Sequence, residues 1–538
     1  MDTVQIRCSV ASACLALLAG VAAPSLASDA QENSAAYAVA HIQNAGLDRL
    51  VDEAVARYHL PGIAVGVIED GKVVYTATRG ETVAGSGQPI TSRTLFKIAS
   101  NSKAMTASVL ARLVEAGKLR WDDPVTRYLP SFRMYDPWVT RQMQVKDLLV
   151  HNSGLPEGGG DLMLWPEPNH FTRADIIAGL AHLKPAYSFR AGYAYDNLLY
   201  VVAGEVAAAA GGASYEELVQ REIFQPLGMS RCRAGAWQSE QVADVAQPHS
   251  HAAGRNVVVN ADGATVEPLV SAAAGGIRCS LDDMLLWANN WLAPDAKQQA
   301  WLSADQRHEA WVPRTPMPVS ARRRTWDGTR LFAYGYGWRI ADVDGHYTVS
   351  HTGTLSGMYS VMTLLPNRKS GFVVLINGEA DDARTVLNEV LLKRFTSPGD
   401  TRGVAYYAEE LEKEKASESR PSTEQHRAAR RIPTSKEFAP WWGIYRDPWF
   451  GQVRICPREG KPGFVSEKSP LLSGRILRSG SRYLVDWDPD SVDAEAWLDF
   501  HEGGASGSPR MTLAKVDPEA DFSYDYEDLA FERVRACD

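Results

Sequence analysis

Two pairs of strand-like segments lie at the two ends of a stretch that otherwise has helical patterns. Ile63–Ile68 and Val73–Ala77 are apolar segments on either side of an Asp70-Gly71 turn, which is typical of a β-hairpin. Tyr359–Leu365 and Gly371–Ile376 form a similar pair much later in the chain. Strands at both ends with helices between them predict an α+β fold, in which helices cover one antiparallel sheet.

The remainder of the chain has a different residue pattern. Residues 435–538 contain short alternating segments such as Tyr483–Trp487, separated by Gly, Pro and Asp, which predict a small all-β domain, either a sandwich or a barrel. Residues 396–434 are highly charged, as in Glu409–Lys415, and are interpreted as a partly helical linker. The predicted main domain therefore covers residues 35–395.

The N-terminal segment has the pattern of a secretory signal. An apolar stretch follows Arg7 and ends at Ser25-Leu26-Ala27, a site of small residues, so we predict a signal peptide over residues 1–27. The alternative is a poorly ordered N-terminal helix. No later stretch approaches the ~18–20 apolar residues that a membrane span needs. We expect a periplasmic or secreted protein without an integral membrane segment after cleavage.

Four cysteines remain after such a cleavage, and an oxidising compartment would let them pair. Pairing within each domain is one interpretation, and buried free thiols are the other. The four are Cys232, Cys279, Cys456 and Cys537.

The charge balance and the absence of several motifs exclude whole classes of function. The formal net charge is −9 and no basic run is present, which argues against nucleic acid as a partner. The sequence has no glycine-rich phosphate loop and no Gly-x-Ser-x-Gly elbow. His249-Ser-His251 has the spacing closest to a metal site, and two such histidines are usually plain loop residues. We expect no metal and no cofactor.

One segment has the pattern of a nucleophile. Ser100 stands three residues before Lys103, at the start of an apolar helical pattern, so both side chains are predicted on one face near a helix N-terminus. The unpaired N–H groups there stabilise an oxyanion, and burial would leave Lys103 neutral and able to take the Ser100 proton. A capping serine beside a solvated lysine is the alternative.

Two further segments could complete such a site. Tyr195-Asp-Asn197 opens another apolar helix, and His351-Thr-Gly353-Thr precedes the strand Tyr359–Leu365. A tyrosine near a lysine can share a proton, and a glycine beside a strand allows a ligand backbone to approach. The carboxylate of Asp196 is either exposed on the surface or close enough to attract a substrate amine or raise the pKa of Lys103.

Taken in order, these three segments resemble the motifs of the penicillin-recognising serine hydrolases, which include class C β-lactamases, DD-peptidases, D-aminopeptidases and esterases. The likeness extends over roughly residues 43–395 and includes Asp147–Pro156 and Tyr336-Gly-Trp338. It implies an antiparallel sheet flanked by helices, with an all-helical subdomain. Residues 435–538 look like the lipocalin-like domain that some family peptidases carry.

The resemblance also implies roles for individual residues. Ser100 would form an acyl-enzyme, and either Lys103 or Tyr195 would be the base. The N–H groups of Ser100 and Thr354 would form the oxyanion hole, each donor contributing ~3–4 kcal/mol. Substrate-binding residues would be Asn197, His351, Thr352, Gly353 and Thr354.

One departure from the family pattern bears on the substrate. His351 stands where β-lactamases and DD-peptidases usually have lysine, so a fixed cation for a substrate carboxylate is missing there. D-aminopeptidases and some esterases of the family share this feature. We therefore expect hydrolysis of amide or peptide bonds in peptides with D- or non-standard residues, such as peptidoglycan fragments or linearised non-ribosomal peptides, linearised microcystin among them.

Two alternatives remain open. The same fold could serve as a carboxylesterase or weak β-lactamase, or as a penicillin-binding sensor that is acylated without turnover. The expected partner is a peptide or small-molecule substrate, and the protein could be a homo-oligomer.

Overall fold

The two predicted strand pairs lie side by side and form one half of an eight-stranded antiparallel sheet in the computed structural model. Val374 pairs with Val65 on one side and with Val361 on the other, which confirms that both parts of the chain build the same sheet. In spatial order, its strands are Lys72–Gly80, Gly62–Glu69, Ser370–Ile376, Met358–Leu365, His346–Leu355, Arg339–Val343, Phe332–Tyr334 and Thr315–Pro316.

The structure describes residues 44–418, 430–488, 492, 494–503 and 507–537. The predicted signal peptide, residues 1–27, lies outside the described residues and stays a prediction.

Helices cover both faces of the sheet, which confirms the predicted α+β fold. Ile63, Val65 and Val67 face one helical layer, while Ala64 and Ile68, which alternate with them, face the other. The first layer contains Ala45–Tyr58, Asp381–Thr396 and Val404–Glu418. The second layer and the helical subdomain contain Ser102–Glu115, Pro137–Gln142, Arg173–Gly179, Leu198–Gly211, Tyr215–Val219, Gln225–Leu227 and Leu281–Leu292. Shorter helices at Ala296–Trp301, Ala304–Ala310 and Ala321–Trp326 precede the last part of the sheet.

Part of the stretch predicted as a linker packs against the main domain. The helix Val404–Glu418 buries Val404, Tyr407 and Leu411 in the same core as Ala45–Tyr58. Residues 419–429, which complete this stretch toward the barrel, are outside the described part of the chain.

The C-terminal domain is a closed β-barrel, which decides between the sandwich and barrel alternatives. Its strands are, in order around the barrel, Ser473–Ser479, Lys461–Ser466, Gly451–Arg458, Gly443–Asp447, Ala530–Arg535, Arg510–Lys515, Ala496–His501 and Arg482–Trp487, and the last pairs with the first. Arg430–Arg431 adds a short strand beside Ser473–Ser479.

Short two-stranded sheets complete the main domain. Phe96–Lys97 pairs with Arg278–Cys279, Trp237–Gln238 pairs with Thr265–Val266, and His249–Ala252 pairs with Arg255–Val258.

The four cysteines within the described residues are all paired. Cys232 is joined to Cys279 in the main domain, and Cys456 to Cys537 in the barrel. Pairing within each domain is thereby confirmed, and the free-thiol alternative is wrong.

Within the described residues, no single helix has the length and apolar character needed to cross a membrane, although the bent pair Leu198–Gly211 and Tyr215–Leu227 meets these criteria when taken together.

Candidate active site

Ser100 lies where the chain turns into a helix. It belongs to the single 3-10 turn Ala99–Asn101, which runs directly into the helix Ser102–Glu115. Ala99 has a φ of 48°, a left-handed conformation that is uncommon for a residue with a side chain. The turn places Ser100 on the wall of a cleft that also contains Tyr195.

Lys103 meets Ser100 inside this wall. Its Nζ lies 3.0 Å from Ser100 Oγ, 2.8 Å from Asn197 Oδ1 and 2.9 Å from the carbonyl oxygen of Ala274. A neutral amine has two N–H groups and one lone pair. Because the amide and carbonyl oxygens only accept hydrogen bonds, they take both N–H groups, and the lone pair faces the Ser100 hydroxyl.

The surroundings of Lys103 favour its neutral form. The side chain is fully buried, and burial lowers its pKa to about 7, because an ammonium ion is costly to remove from water. The positive charge of Arg339 lowers the pKa further, whereas Asp161 and Asp196 oppose this. A large fraction of Lys103 is therefore neutral near pH 7.

Tyr195 covers another side of the amine. Its ring is 7% exposed, and its centroid lies 4.8 Å from Lys103 Nζ. Burial raises the pKa of Tyr195 above its ordinary value, against the opposing influence of Arg339 and of a hydrogen bond with Ser100. The phenol therefore stays protonated at neutral pH.

Asn197 links Lys103 to a carboxylate that the sequence did not single out. While Asn197 Oδ1 accepts from Lys103, its Nδ2 donates to Asp161 Oδ2 at 2.8 Å. Both polar atoms of the Asn197 side chain are thus engaged within the protein, although the residue lines the cleft. Burial raises the pKa of the Asp161 carboxyl well above its usual range.

Asp196 is neither exposed nor free to bind a substrate amine. Its Oδ1 accepts from the N–H of Leu199 at 3.1 Å and its Oδ2 accepts from Ser153 Oγ at 3.1 Å, so it caps the helix Leu198–Gly211. Burial raises its pKa to about 6. The alternative that Asp196 is exposed on the surface is wrong. Of the effects suggested for its carboxylate, the one that remains is that it raises the pKa of Lys103.

The predicted third segment lies in the strand His346–Leu355. The His351 ring is buried, and its Nδ1 lies 2.6 Å from the Thr352 carbonyl oxygen, which can only accept. Nε2 therefore accepts from the Tyr334 hydroxyl at 2.7 Å. Burial lowers the pKa of His351 well below its ordinary value. His351 is a neutral buried group, and its role as a substrate contact stays a prediction.

Gly353 lets this strand lie directly against the turn that carries Ser100. A Cβ at Gly353 would lie 2.3 Å from the carbonyl oxygen of Ile98 and 3.0 Å from Ala99 Cβ. Arg384 Nη1 supports the strand from behind by donating to the Gly353 carbonyl at 2.7 Å and to Thr354 Oγ1 at 2.6 Å. The close approach puts Thr352 and Thr354 on the wall of the same cleft as Ser100.

Gly353→Ala is expected to lower kcat at least tenfold and to destabilise the protein by about 1–3 kcal/mol, because the added methyl group pushes the strand away from Ser100. Steady-state kinetics and thermal unfolding measure the two effects. His346→Ala, at the far end of the same strand, is the control and should leave kcat unchanged. An unchanged kcat in the glycine variant would contradict this placement.

Arg339 is a site residue that the sequence analysis missed. It begins the strand Arg339–Val343, which neighbours His346–Leu355. It lines the cleft, and its Nη1 donates to Thr352 Oγ1 at 2.7 Å. Its buried Nε has no hydrogen-bond partner among the described residues. The guanidinium thus places a positive charge on the cleft wall, where His351 has none. Arg339 directly follows Tyr336-Gly-Trp338, a segment that resembles the family, and this position in the sequence could have indicated it as a site residue.

With this geometry established, comparisons with known proteins identify the family. The family model described as Beta-lactamase matches residues 47–394, well over half of the chain. The chain belongs to the Beta-lactamase family. The structure brings Ser100, Lys103, Tyr195 and Asn197 together with the Thr352–Thr354 strand, and their individual catalytic roles stay predictions.

Two relatives of this family member are about a quarter identical to it over the aligned residues. An unguisins hydrolase of Aspergillus violaceofuscus is 27% identical over 354 residues, covering 61% of this chain and 60% of the relative. Penicillin-binding protein 4 of Amycolatopsis lactamdurans is 25% identical over 328 residues, covering 60% of this chain and 82% of the relative. The chain therefore spans only about 60% of the length of the unguisins hydrolase it matches.

A solved structure supports the fold. The octameric penicillin-binding protein homologue from Pyrococcus abyssi has a TM-score of 0.56 and 19% identity, covering 91% of this chain and 99% of that chain. The family match ends at residue 394, whereas the structural likeness covers 91% of the chain. The structural likeness therefore continues into the C-terminal part of the chain.

Proposed function

We propose that this family member is an exported hydrolase that cleaves amide or peptide bonds through an acyl-enzyme at Ser100, in peptides that contain D- or non-standard residues. The observation that carries the proposal is the contact of Ser100 with the buried Lys103, beside a strand edge on which an extended peptide can dock.

The arrangement supports the following sequence of steps. The Lys103 lone pair takes the Ser100 proton while Ser100 Oγ attacks the substrate carbonyl. The N–H groups of Ser100 and Thr354 hold the resulting oxyanion. The ammonium of Lys103, or Tyr195 relaying its proton, then protonates the leaving amine as the C–N bond breaks. Water hydrolyses the ester, and its proton passes through the same groups.

The strand edge favours a peptide-like substrate. His346–Leu355 pairs with Met358–Leu365 as far as Leu355, but the last residue paired with Arg339–Val343 is Ser350. From Thr352 onward, the second side of the strand has no strand partner among the described residues. An extended peptide can add there by backbone hydrogen bonds, beside Ser100.

Arg339 favours a substrate with a carboxylate. Its guanidinium and the Thr352 hydroxyl lie together on the cleft wall, and guanidinium groups bind carboxylates in a two-point geometry. The cleft has a volume of about 880 Å³, which is enough for a short peptide.

The relatives' names support peptides of unusual composition as the substrate class. One is named for the hydrolysis of unguisins and another as a penicillin-binding protein. Peptidoglycan fragments and linearised non-ribosomal peptides, including linearised microcystin, are the candidates.

Export is supported by the two disulfides, which persist in oxidising compartments, and by the signal-like pattern of residues 1–27. A homo-oligomer is part of the proposal because the similar solved structure is described as octameric.

A substrate panel tests the proposal. D-Ala-p-nitroanilide and short D-residue peptides should be turned over, and mass spectrometry should detect an acyl-enzyme on Ser100. Fast cleavage of p-nitrophenyl esters without any amide turnover would instead identify an esterase, and nitrocefin turnover alone a β-lactamase. Stoichiometric labelling without turnover would identify a penicillin-binding sensor.

Arg339→Gln is expected to raise KM roughly tenfold or more for a peptide with a free carboxylate, because a charged hydrogen bond is lost. The same peptide with an amidated C-terminus is the matched control, and its KM should change less than about twofold. Equal changes for both peptides would remove Arg339 from carboxylate recognition.

A further inference from the structure

The barrel contributes a loop to the active-site cleft. The barrel loop, residues 516–529, joins the strands Arg510–Lys515 and Ala530–Arg535, and Phe522 and Ser523 of this loop line the same cleft as Ser100. The Phe522 ring lies edge-on to Tyr195, with 5.9 Å between ring centroids. The cleft is therefore shared by two domains.

A chain of hydrogen bonds connects this loop to the nucleophile. Ser523 Oγ donates to Asp161 Oδ2 at 2.9 Å, the same oxygen that accepts from Asn197 Nδ2. Asn197 Oδ1 in turn accepts from Lys103, which contacts Ser100. The position of Asp161 therefore affects the position of the Asn197 amide, which contacts the Lys103 amine.

A second contact holds the segment that carries Asp161. The Asp525 carboxylate is 6% exposed and accepts from the N–H of Gly160 at 2.6 Å and from that of Leu162 at 3.0 Å. These N–H groups flank Asp161 and belong to the start of the 3-10 turn Asp161–Met163. Without Asp525 they would lose their acceptor in a buried place, which is costly.

Gly158 provides the space for the barrel loop. Its φ is +68°, and a Cβ there would lie 2.7 Å from Phe522 Cδ2 and 2.7 Å from the Phe522 carbonyl oxygen. Its N–H also donates to the Tyr195 carbonyl at 2.8 Å. The same short segment therefore touches the barrel loop on one side and the Tyr195–Asn197 segment on the other.

We infer that the barrel loop is part of the active site: Ser523 and Asp525 hold Asp161 in place, and Asp161, through Asn197, orients Lys103 toward Ser100. Ser523, Asp525 and Asp161 are thus positioning residues. The inference rests on the proposed function only in taking Ser100 as the nucleophile that Lys103 activates.

Labelling by a fluorophosphonate tests the inference without knowledge of the natural substrate. In Ser523→Ala, the maximal labelling rate is expected to fall roughly tenfold, while the reagent concentration at half-maximal rate and the Tm stay close to wild type. Ser523→Thr, which retains a hydroxyl, should restore the rate. Ser473→Ala is the matched control, because Ser473 is another barrel serine that donates to a carboxylate, that of Asp488.

The possible outcomes distinguish a failure of this inference from a failure of the proposed function. A wild-type rate in Ser523→Ala overturns the inference, as does a slow rate that Ser523→Thr fails to restore or that Ser473→Ala shares. If the wild-type protein itself is not labelled, the nucleophile of the proposed function fails instead.

A second pair of variants tests the docking of the barrel loop. Gly158→Ala adds a methyl group against Phe522 and is expected to slow labelling at least tenfold. Gly228→Ala is the control, because Gly228 has the same kind of backbone, with φ +73°, and open space around its Cβ position. Equal labelling rates in the two variants would contradict a role for the loop.

Discussion

Replacement of Ser100 by alanine is expected to abolish both turnover and fluorophosphonate labelling while leaving the Tm nearly unchanged. The hydroxyl is the only group in the proposed mechanism that bonds to the substrate carbonyl, so the loss in kcat should be on the order of 10⁶-fold. The side chain stands on the cleft wall rather than in a packed core, and its removal leaves no large cavity. Kinetics, gel-based labelling and thermal unfolding measure the three quantities.

Ser108→Ala is the control for this experiment. Ser108 lies on the helix that follows Ser100, where its hydroxyl donates to the carbonyl of Ala104, and it does not line the cleft. Both readouts of activity should be unchanged there. Turnover that persists in the Ser100 variant would disprove the assignment of the nucleophile.

Replacement of Lys103 by alanine is expected to lower kcat/KM by about 10³-fold, within the range for loss of a general base. The pH dependence is the sharper measurement. Because the pKa of Lys103 is lowered to about 7 and only the neutral amine accepts the Ser100 proton, kcat/KM should rise with pH up to about 7 and then level off.

The alanine variant should lose this acidic limb of the pH profile. Tyr195→Phe should keep the limb while lowering the rate, since burial raises the pKa of Tyr195 and the phenol is protonated throughout this range. Lys118→Ala, an exposed lysine just beyond the same helix, is the control. If the Lys103 variant keeps the acidic limb, or if Tyr195→Phe is the one variant that loses it, Tyr195 would be the base.

The local parts of this site could be predicted because short-range geometry decides them. A spacing of three residues on a helix puts Ser100 and Lys103 on one face whatever else the chain does. Alternating apolar residues and an Asp70-Gly71 turn indicate a hairpin for equally local reasons. The family motifs brought Tyr195 and Asn197 into consideration through their pattern alone.

Local sequence was less informative for single polar residues. Asp196 has the same neighbours in the chain whether it points to water or caps a helix, and only the packing of Ser153 against it decides for burial. The histidine at position 351 suggested that a fixed cation was missing. The sheet places a positive charge on the cleft wall from the neighbouring strand, where Arg339 pairs with Ser350.

The sequence by itself determined the hairpins and helices of the main domain, the all-β character of the domain that follows, and the helix face that Ser100 and Lys103 share, because each depends on neighbours a few residues apart. Only the tertiary structure decided that Arg339 faces the cleft and that Ser523 reaches Asp161. Those contacts join residues that are remote in the chain, and the packing of whole strands and domains, rather than any local preference, brings them within hydrogen-bond distance.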